Sequence, residues 1–141
     1  MSGADIDLVR AQFEGVNQRD FDRVMNLYAD DVVLVVHSSF GLEVGTARGK
    51  KDVGEWFGEW FRMFGPDYQF EIDEVREIGD AIFIRATHGG HGRASGVEVR
   101  NETSYLYWVR DGRVARVELF GERDEALTAA ESLERSKPET D

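Results

Sequence analysis

Histidine is the side chain that changes charge near neutral pH, and this chain of 141 residues has three: His37, His88 and His91. Along Ala81 to His88, the residues Ile82, Ile84 and Ala86 share one face of a strand with His88, while Arg85 lies on the other. Period-two alternation therefore turns His88 inward. An imidazole on a cavity wall is a candidate general base; the competing reading is a buried histidine held by a backbone carbonyl or a carboxylate. His37 closes the apolar run Val32 to Val36 and is a second candidate. His91 stands among glycines and is expected in solvent. On the stretch Val97 to Val109 the odd positions, including Asn101, Thr103, Tyr105 and Tyr107, form the more apolar set. Tyr105 is a candidate donor to a carbonyl or enolate oxygen; alternatively Tyr105 and Tyr107 pack as rings with their hydroxyls on water. Glu118 is left open by the pattern, because a one-residue slip exchanges the faces of a strand. With Phe120 inward, Arg116 and Glu118 follow, and a desolvated Glu118 is an acid or base candidate. With Val117 and Leu119 inward, Glu118 is an outward, solvated charge.

Other chemistries find less support. The chain contains no cysteine, which excludes disulfides, thiolate nucleophiles, iron–sulfur clusters and cysteine zinc sites. His88 and His91 are three apart, but a catalytic zinc needs three convergent ligands, so no metal is expected. The glycine-rich stretch Gly89 to Gly96 lacks the lysine and hydroxyl ending of a phosphate loop. No Ser–His–Asp arrangement can be read from sequence order. No cofactor is expected.

Composition narrows the partners. A net charge of −11 and an acidic pI of about 4.7 repel phosphate backbones and anionic membrane surfaces. The longest apolar run, Val32 to Val36, is too short to span a bilayer. The acidic beginning carries no apolar export segment, and with no cysteine this fits a cytoplasmic protein. Length predicts one domain over residues 1–135, with a disordered polar tail at 136–141.

The elements that must position these groups follow from periodicity. Ile6, Val9, Phe13 and Val16 predict a first amphipathic helix. Asp20 is a fitting N-cap for a second, which buries Phe21, Val24, Met25 and Tyr28 and ends at Asp30 and Asp31. Val32 to Val36 reads as a strand buried on both faces, and residues 38–49 as loop. Val53, Trp56, Phe57, Trp60, Phe61 and Phe64 recur on one helical face, which stops at Gly65-Pro66. So aromatic a face is expected to plug something concave and to wall a hollow for a small apolar molecule; the competing reading is that the rings are only core. Four strands follow: Tyr68 to Ile78 with a bulge where Val75 and Ile78 break phase, Ala81 to His88, Val97 to Val109, and Val114 to Phe120. Residues 124–133 suggest a short helix. Helices first and strands after make an α+β fold.

This order, with the segment Asp20 to Asp31 (DFDRVMNLYADD), the Gly49-Lys50-Lys51 helix entry, the Arg110 to Val114 hairpin and the Leu119 to Glu122 strand end, resembles the nuclear transport factor 2-like superfamily. Within it the chain is similar to SnoaL-like polyketide cyclases and ketosteroid isomerases over about residues 5 to 130. The resemblance implies a cone-shaped α+β barrel whose curved, mostly antiparallel sheet wraps the N-terminal helices around an apolar pocket. It also implies a homodimer packed through the sheet. The isomerase's helix tyrosine aligns with Gln12, its basic aspartate with Val36 beside His37, and its protonated aspartate with Tyr105 or Ser104. None matches in type, which argues against that mechanism. The resemblance implies cofactor-independent acid–base chemistry on an apolar carbonyl compound. His88, Glu118 or His37 would move the proton, Tyr105 would hold the oxygen, and Trp56, Trp60, Phe64, Asn101, Tyr107 and Phe120 would contact the ligand. The alternatives are a non-catalytic ligand-binding or dimeric accessory domain, and a hydrolase or dehydratase needing more carboxylates inside.

Overall fold

The computed structural model describes residues 2–40, 45–92 and 96–136. Helix α1 (Ser2–Asn17) buries Val9, Gln12, Phe13 and Val16 along one stripe. Asp20 caps α2 (Phe21–Asn26), its Oδ1 accepting from the Arg23 amide at 3.3 Å. Tyr28, expected in that helix, instead opens β1 (Tyr28–Val36) and is fully buried. The chain leaves the helix because tertiary pairing outweighs local propensity: the Val114 amide donates to the Leu27 carbonyl at 2.8 Å, and Tyr28 pairs with Val114 in parallel. Asp30 and Asp31 stay exposed inside β1, where its register to the neighbouring strand shifts. The expectation that Val32 to Val36 is buried on both faces also needs correction. Val32, Leu34 and Val36 are buried, whereas Val33 and Val35 are half-buried on the less covered face.

Part of the stretch read as loop is structured. A 3-10 turn (Ser38–Phe40) precedes β2 (Gly45–Arg48), which pairs antiparallel with β1; residues 41–44 lie outside the described residues. Helix α3 (Gly49–Arg62) carries the aromatic stripe but ends before Phe64, which bridges to Gly92. Then come β3 (Gln69–Ile78), β4 (Ala81–His91), β5 (Glu98–Arg110), β6 (Arg113–Phe120) and α4 (Arg123–Ser136). The expected bulge sits at a register shift between Ile72 and Glu74. The β5–β6 hairpin turns on Asp111 and Gly112, both with positive φ of 53° and 75°, the geometry that an Asp-Gly pair tolerates. The expected glycine-rich tip is shortened because Gly89, Gly90 and His91 belong to β4; residues 93–95 lie outside the described residues, as do 137–141 of the expected tail.

The six strands run in the order β2-β1-β6-β5-β4-β3; β1 and β6 are parallel and all other neighbours antiparallel. The sheet is curved and open. Its concave face closes over α1 and α3 in one apolar core, including Val9, Phe13, Val53, Leu34, Ile84 and Leu119. Its other face carries a second core, in which Ala126 and Ala130 of α4 cover Ala81, Phe83, Leu106 and Phe120. No helix among the described residues is long and apolar enough to cross a membrane.

Candidate functional site

Two hollows lie under the concave face, and the indole of Trp60 lines both. The inner one, about 150 Å³, is roofed by Phe57 and Phe61 of α3 and floored by Tyr105, Tyr107, Val117 and Leu119. Besides the Trp60 indole, its polar side chains are Gln12, Tyr105 and Tyr107. The Tyr107 hydroxyl donates to Gln12 Oε1 at 2.7 Å. That bond occupies the carbonyl end of the amide and leaves the Gln12 NH₂ without a hydrogen bond among the described residues. Thr103 Oγ1 donates to the Tyr105 hydroxyl oxygen at 2.8 Å, which leaves the phenol proton available. Burial raises the pKa of both tyrosines well above the ordinary phenol range, so each remains a neutral donor. An apolar chamber thus holds two spare donors, an amide N–H and a phenol O–H, and no carboxylate or imidazole among the described residues lines it. Such donors suit a carbonyl oxygen and strengthen as negative charge gathers on it.

The outer hollow, about 330 Å³, is lined by Phe40, Trp60, Phe64, Tyr68, His88 and Thr103, with Asn101 and Glu102 among its polar residues. His88 is 3% exposed, as the alternation of β4 requires. Its ring stacks on Phe70 at 5.0 Å and meets Trp60 edge-on at 5.8 Å. Nδ1 is hydrogen-bonded to the fully buried Tyr68 hydroxyl, and desolvation pushes the imidazole pKa down to about 4. The phenol has this one hydrogen-bond partner among the described residues, so the arrangement that satisfies it has Tyr68 donating to Nδ1. Nε2 then carries the proton. In that tautomer the neutral ring presents Nε2 as an N–H donor. Its Nε2 and Trp60 Nε1 are buried with no partner among the described residues.

The remaining candidates fall elsewhere. Val117 and Leu119 face the inner hollow, so Glu118 and Phe120 lie on the opposite face of β6. Glu118 is not the solvated charge that this register implied: it is 6% exposed, accepting from His37 Nε2 and Arg116 Nε, each at 2.8 Å. His37 stacks on Phe120 at 4.1 Å, and Phe120 packs under α4. His37, Glu118 and Phe120 therefore line neither hollow. Trp56 lines neither hollow and buttresses Trp60 edge-on at 5.3 Å. Phe64 lines the outer hollow and Tyr107 the inner, while Asn101 sits exposed at the outer rim. His91, the histidine expected in solvent, is exposed and paired with Asp67 at 2.6 Å. Two residues that sequence reasoning did not place in the site are Gln12 and Tyr68. The signal for Gln12 was an amide within the otherwise apolar stripe Val9, Phe13, Val16.

The model of the SnoaL-like domain family matches residues 9–117, and the chain belongs to that family. No curated protein matches the sequence. Among solved structures, a putative SnoaL-like polyketide cyclase from Jannaschia sp. CCS1 is 18% identical with a TM-score of 0.74, covering 92% of this chain and 93% of that one. TerC, co-crystallised with polyporic acid, is 20% identical with a TM-score of 0.70, covering 91% of this chain and 98% of its own. A ketosteroid isomerase-like protein from Catenulispora acidiphila, in complex with trimethylamine, is 17% identical with a TM-score of 0.69, covering 87% of this chain and 91% of its own. These likenesses establish the fold. At the positions aligned with the isomerase triad, Val36 is packed in the core and Gln12 and Tyr105 line the inner hollow.

Proposed function

We propose that this chain binds a small, mostly apolar carbonyl compound in the inner hollow and polarises its carbonyl group. The observation that carries the reading is the pair of spare donors, Gln12 Nε2 and the Tyr105 hydroxyl, inside an otherwise apolar chamber of about 150 Å³. A cavity of that size takes a single aromatic ring. TerC holds polyporic acid and the Catenulispora acidiphila protein holds trimethylamine, which supports a scaffold that accepts small organic molecules. With no carboxylate or imidazole among the described residues of its walls, the hollow supports binding and polarisation in preference to proton abstraction. A catalytic reading draws on one observation, that Trp60, alone among the described residues, lines both this hollow and the one that carries His88.

The test compares acetophenone with ethylbenzene, which has a similar shape but no acceptor. Calorimetric titration is expected to show acetophenone binding at least tenfold more tightly, and Gln12→Leu with Tyr105→Phe to abolish the difference. Equal affinity for the two compounds in the unaltered protein overturns the reading. Exchange of the ketone's α protons in D₂O that disappears in His88→Phe would identify an enzyme instead.

A further inference from the structure

Three buried side-chain polar atoms lack a partner among the described residues: the Tyr28 hydroxyl, Trp60 Nε1 and His88 Nε2. The last two belong to adjoining rings 5.8 Å apart that line the outer hollow. Trp60 and His88 are 6% and 3% exposed, so neither nitrogen reaches bulk water to make good the bond. Buried polar groups in folded chains nearly always find partners, and two neighbouring exceptions on one cavity wall call for a reason. An indole N–H is donor only, and the Tyr68 bond leaves the His88 Nε2 a donor as well. Both therefore want the same thing, an acceptor.

We propose that the outer hollow is a second subsite, in which Trp60 Nε1–H and His88 Nε2–H take an uncharged acceptor oxygen of the molecule whose first carbonyl lies on Gln12 and Tyr105. This rests on the reading of the inner hollow given above and narrows its ligand class to compounds with two carbonyl or ether oxygens at opposite ends of an apolar body. The shared wall supplies the geometry. Trp60 borders both chambers, and on this proposal the ligand passes its indole to meet both pairs of donors. The inner 150 Å³ holds one ring and the outer 330 Å³ leaves room for the remainder. An uncharged oxygen is favoured over a carboxylate. The chain carries a net charge of −11, the two donors are neutral and desolvated, and the one charged side chain among the described lining, Glu102, is already paired with Arg85 at 3.2 Å.

The probes are acetophenone, 1,4-diacetylbenzene and 4-acetylbenzoate, titrated calorimetrically into the full chain. In the unaltered protein 1,4-diacetylbenzene is expected to bind at least tenfold more tightly than acetophenone, and 4-acetylbenzoate no more tightly than acetophenone. Trp60→Phe keeps an aromatic wall and removes the indole N–H; His88→Phe removes the second donor. Each is expected to reduce the ratio between diketone and monoketone to threefold or less, whatever happens to the monoketone itself. A ratio near one in the unaltered protein overturns the subsite, as does a tenfold ratio that survives in both variants. Tightest binding of 4-acetylbenzoate also overturns it and marks an anion site. If acetophenone fails to bind at all, the inner reading falls and takes this one with it; if it binds while the ratio is one, only the outer subsite falls.

Discussion

Acidification from pH 6.5 to pH 4.5 isolates the energetic weight of His88. In the folded chain its pKa is pushed down to about 4 by burial, from an ordinary value of 6.5. The unfolded chain consequently takes up the proton first. The stability that the neutral ring contributes is fully present above pH 6.5 and drains away as pH falls toward 4. Each pH unit within that window is worth about 1.4 kcal/mol, so the span to pH 4.5 removes roughly 2–3 kcal/mol. The other shifted carboxylates and the shifted His91 fall outside the window or act in the opposite sense. Asp67 holds His91 above the usual imidazole range, so that share is present at low pH and lost as pH rises. The lowered carboxylates of Asp31, Asp67 and Glu74 lose their share only as pH drops through their own depressed values. Urea unfolding of the natural sequence against a His88→Phe, Tyr68→Phe double variant cancels these common contributions, and the paired change leaves no phenol without its partner. The difference in unfolding free energy should narrow in the variant's favour by roughly 2–3 kcal/mol between pH 6.5 and 4.5. A flat difference, or an NMR titration placing His88 near 6.5, would refute the reasoning.

Three further outcomes follow from local geometry. Gly58 sits within α3, where an added Cβ meets only Arg62 Nη1 at 3.8 Å, so Gly58→Ala should stabilise the fold by about 0.8–1 kcal/mol in calorimetry. Gly121 approaches Ser39 so closely that a Cβ there would lie 1.8 Å from the Ser39 carbonyl oxygen. Gly121→Ala should cost more than about 3 kcal/mol in urea unfolding, among the largest effects of a single residue. Arg116→Ala leaves the buried Glu118 carboxylate with His37 alone and should cost about 1.5–3 kcal/mol, the range for a charge-assisted hydrogen bond; unchanged stability would show that solvent replaces the guanidinium.

The inward aim of His88 and the burial of Trp60 were legible because each follows from one period, 2 for a strand and 3.6 for a helix, on an element with one buried face. Where both faces are buried, the pattern loses its meaning. Residues 117 to 120 of β6 are buried throughout, on one side by the helical core and on the other by α4 and the His37–Glu118–Arg116 group. Hydropathy could not tell Glu118's side for that reason. The start of β1 was hidden by its dependence on a strand far away in sequence, Tyr28 pairing with Val114. The four residues of β2 (GTAR) carry too little apolar character to announce a strand. Gln12 was overlooked as a donor because an amide within an apolar stripe looks like a flaw until its partner, Tyr107, is seen across the chamber.

The second core has a consequence for how this chain can be shortened. The residues that line both hollows precede Glu122, so a version ending there would keep all of them. It would also lay bare Phe83, Leu106 and Phe120 as one greasy strip, and lose the Arg123 clamp on Glu74. Such a fragment would be expected to clump. The lining of both hollows and the apolar surface that α4 covers thus belong to opposite sides of a single sheet, the cover resting on one helix.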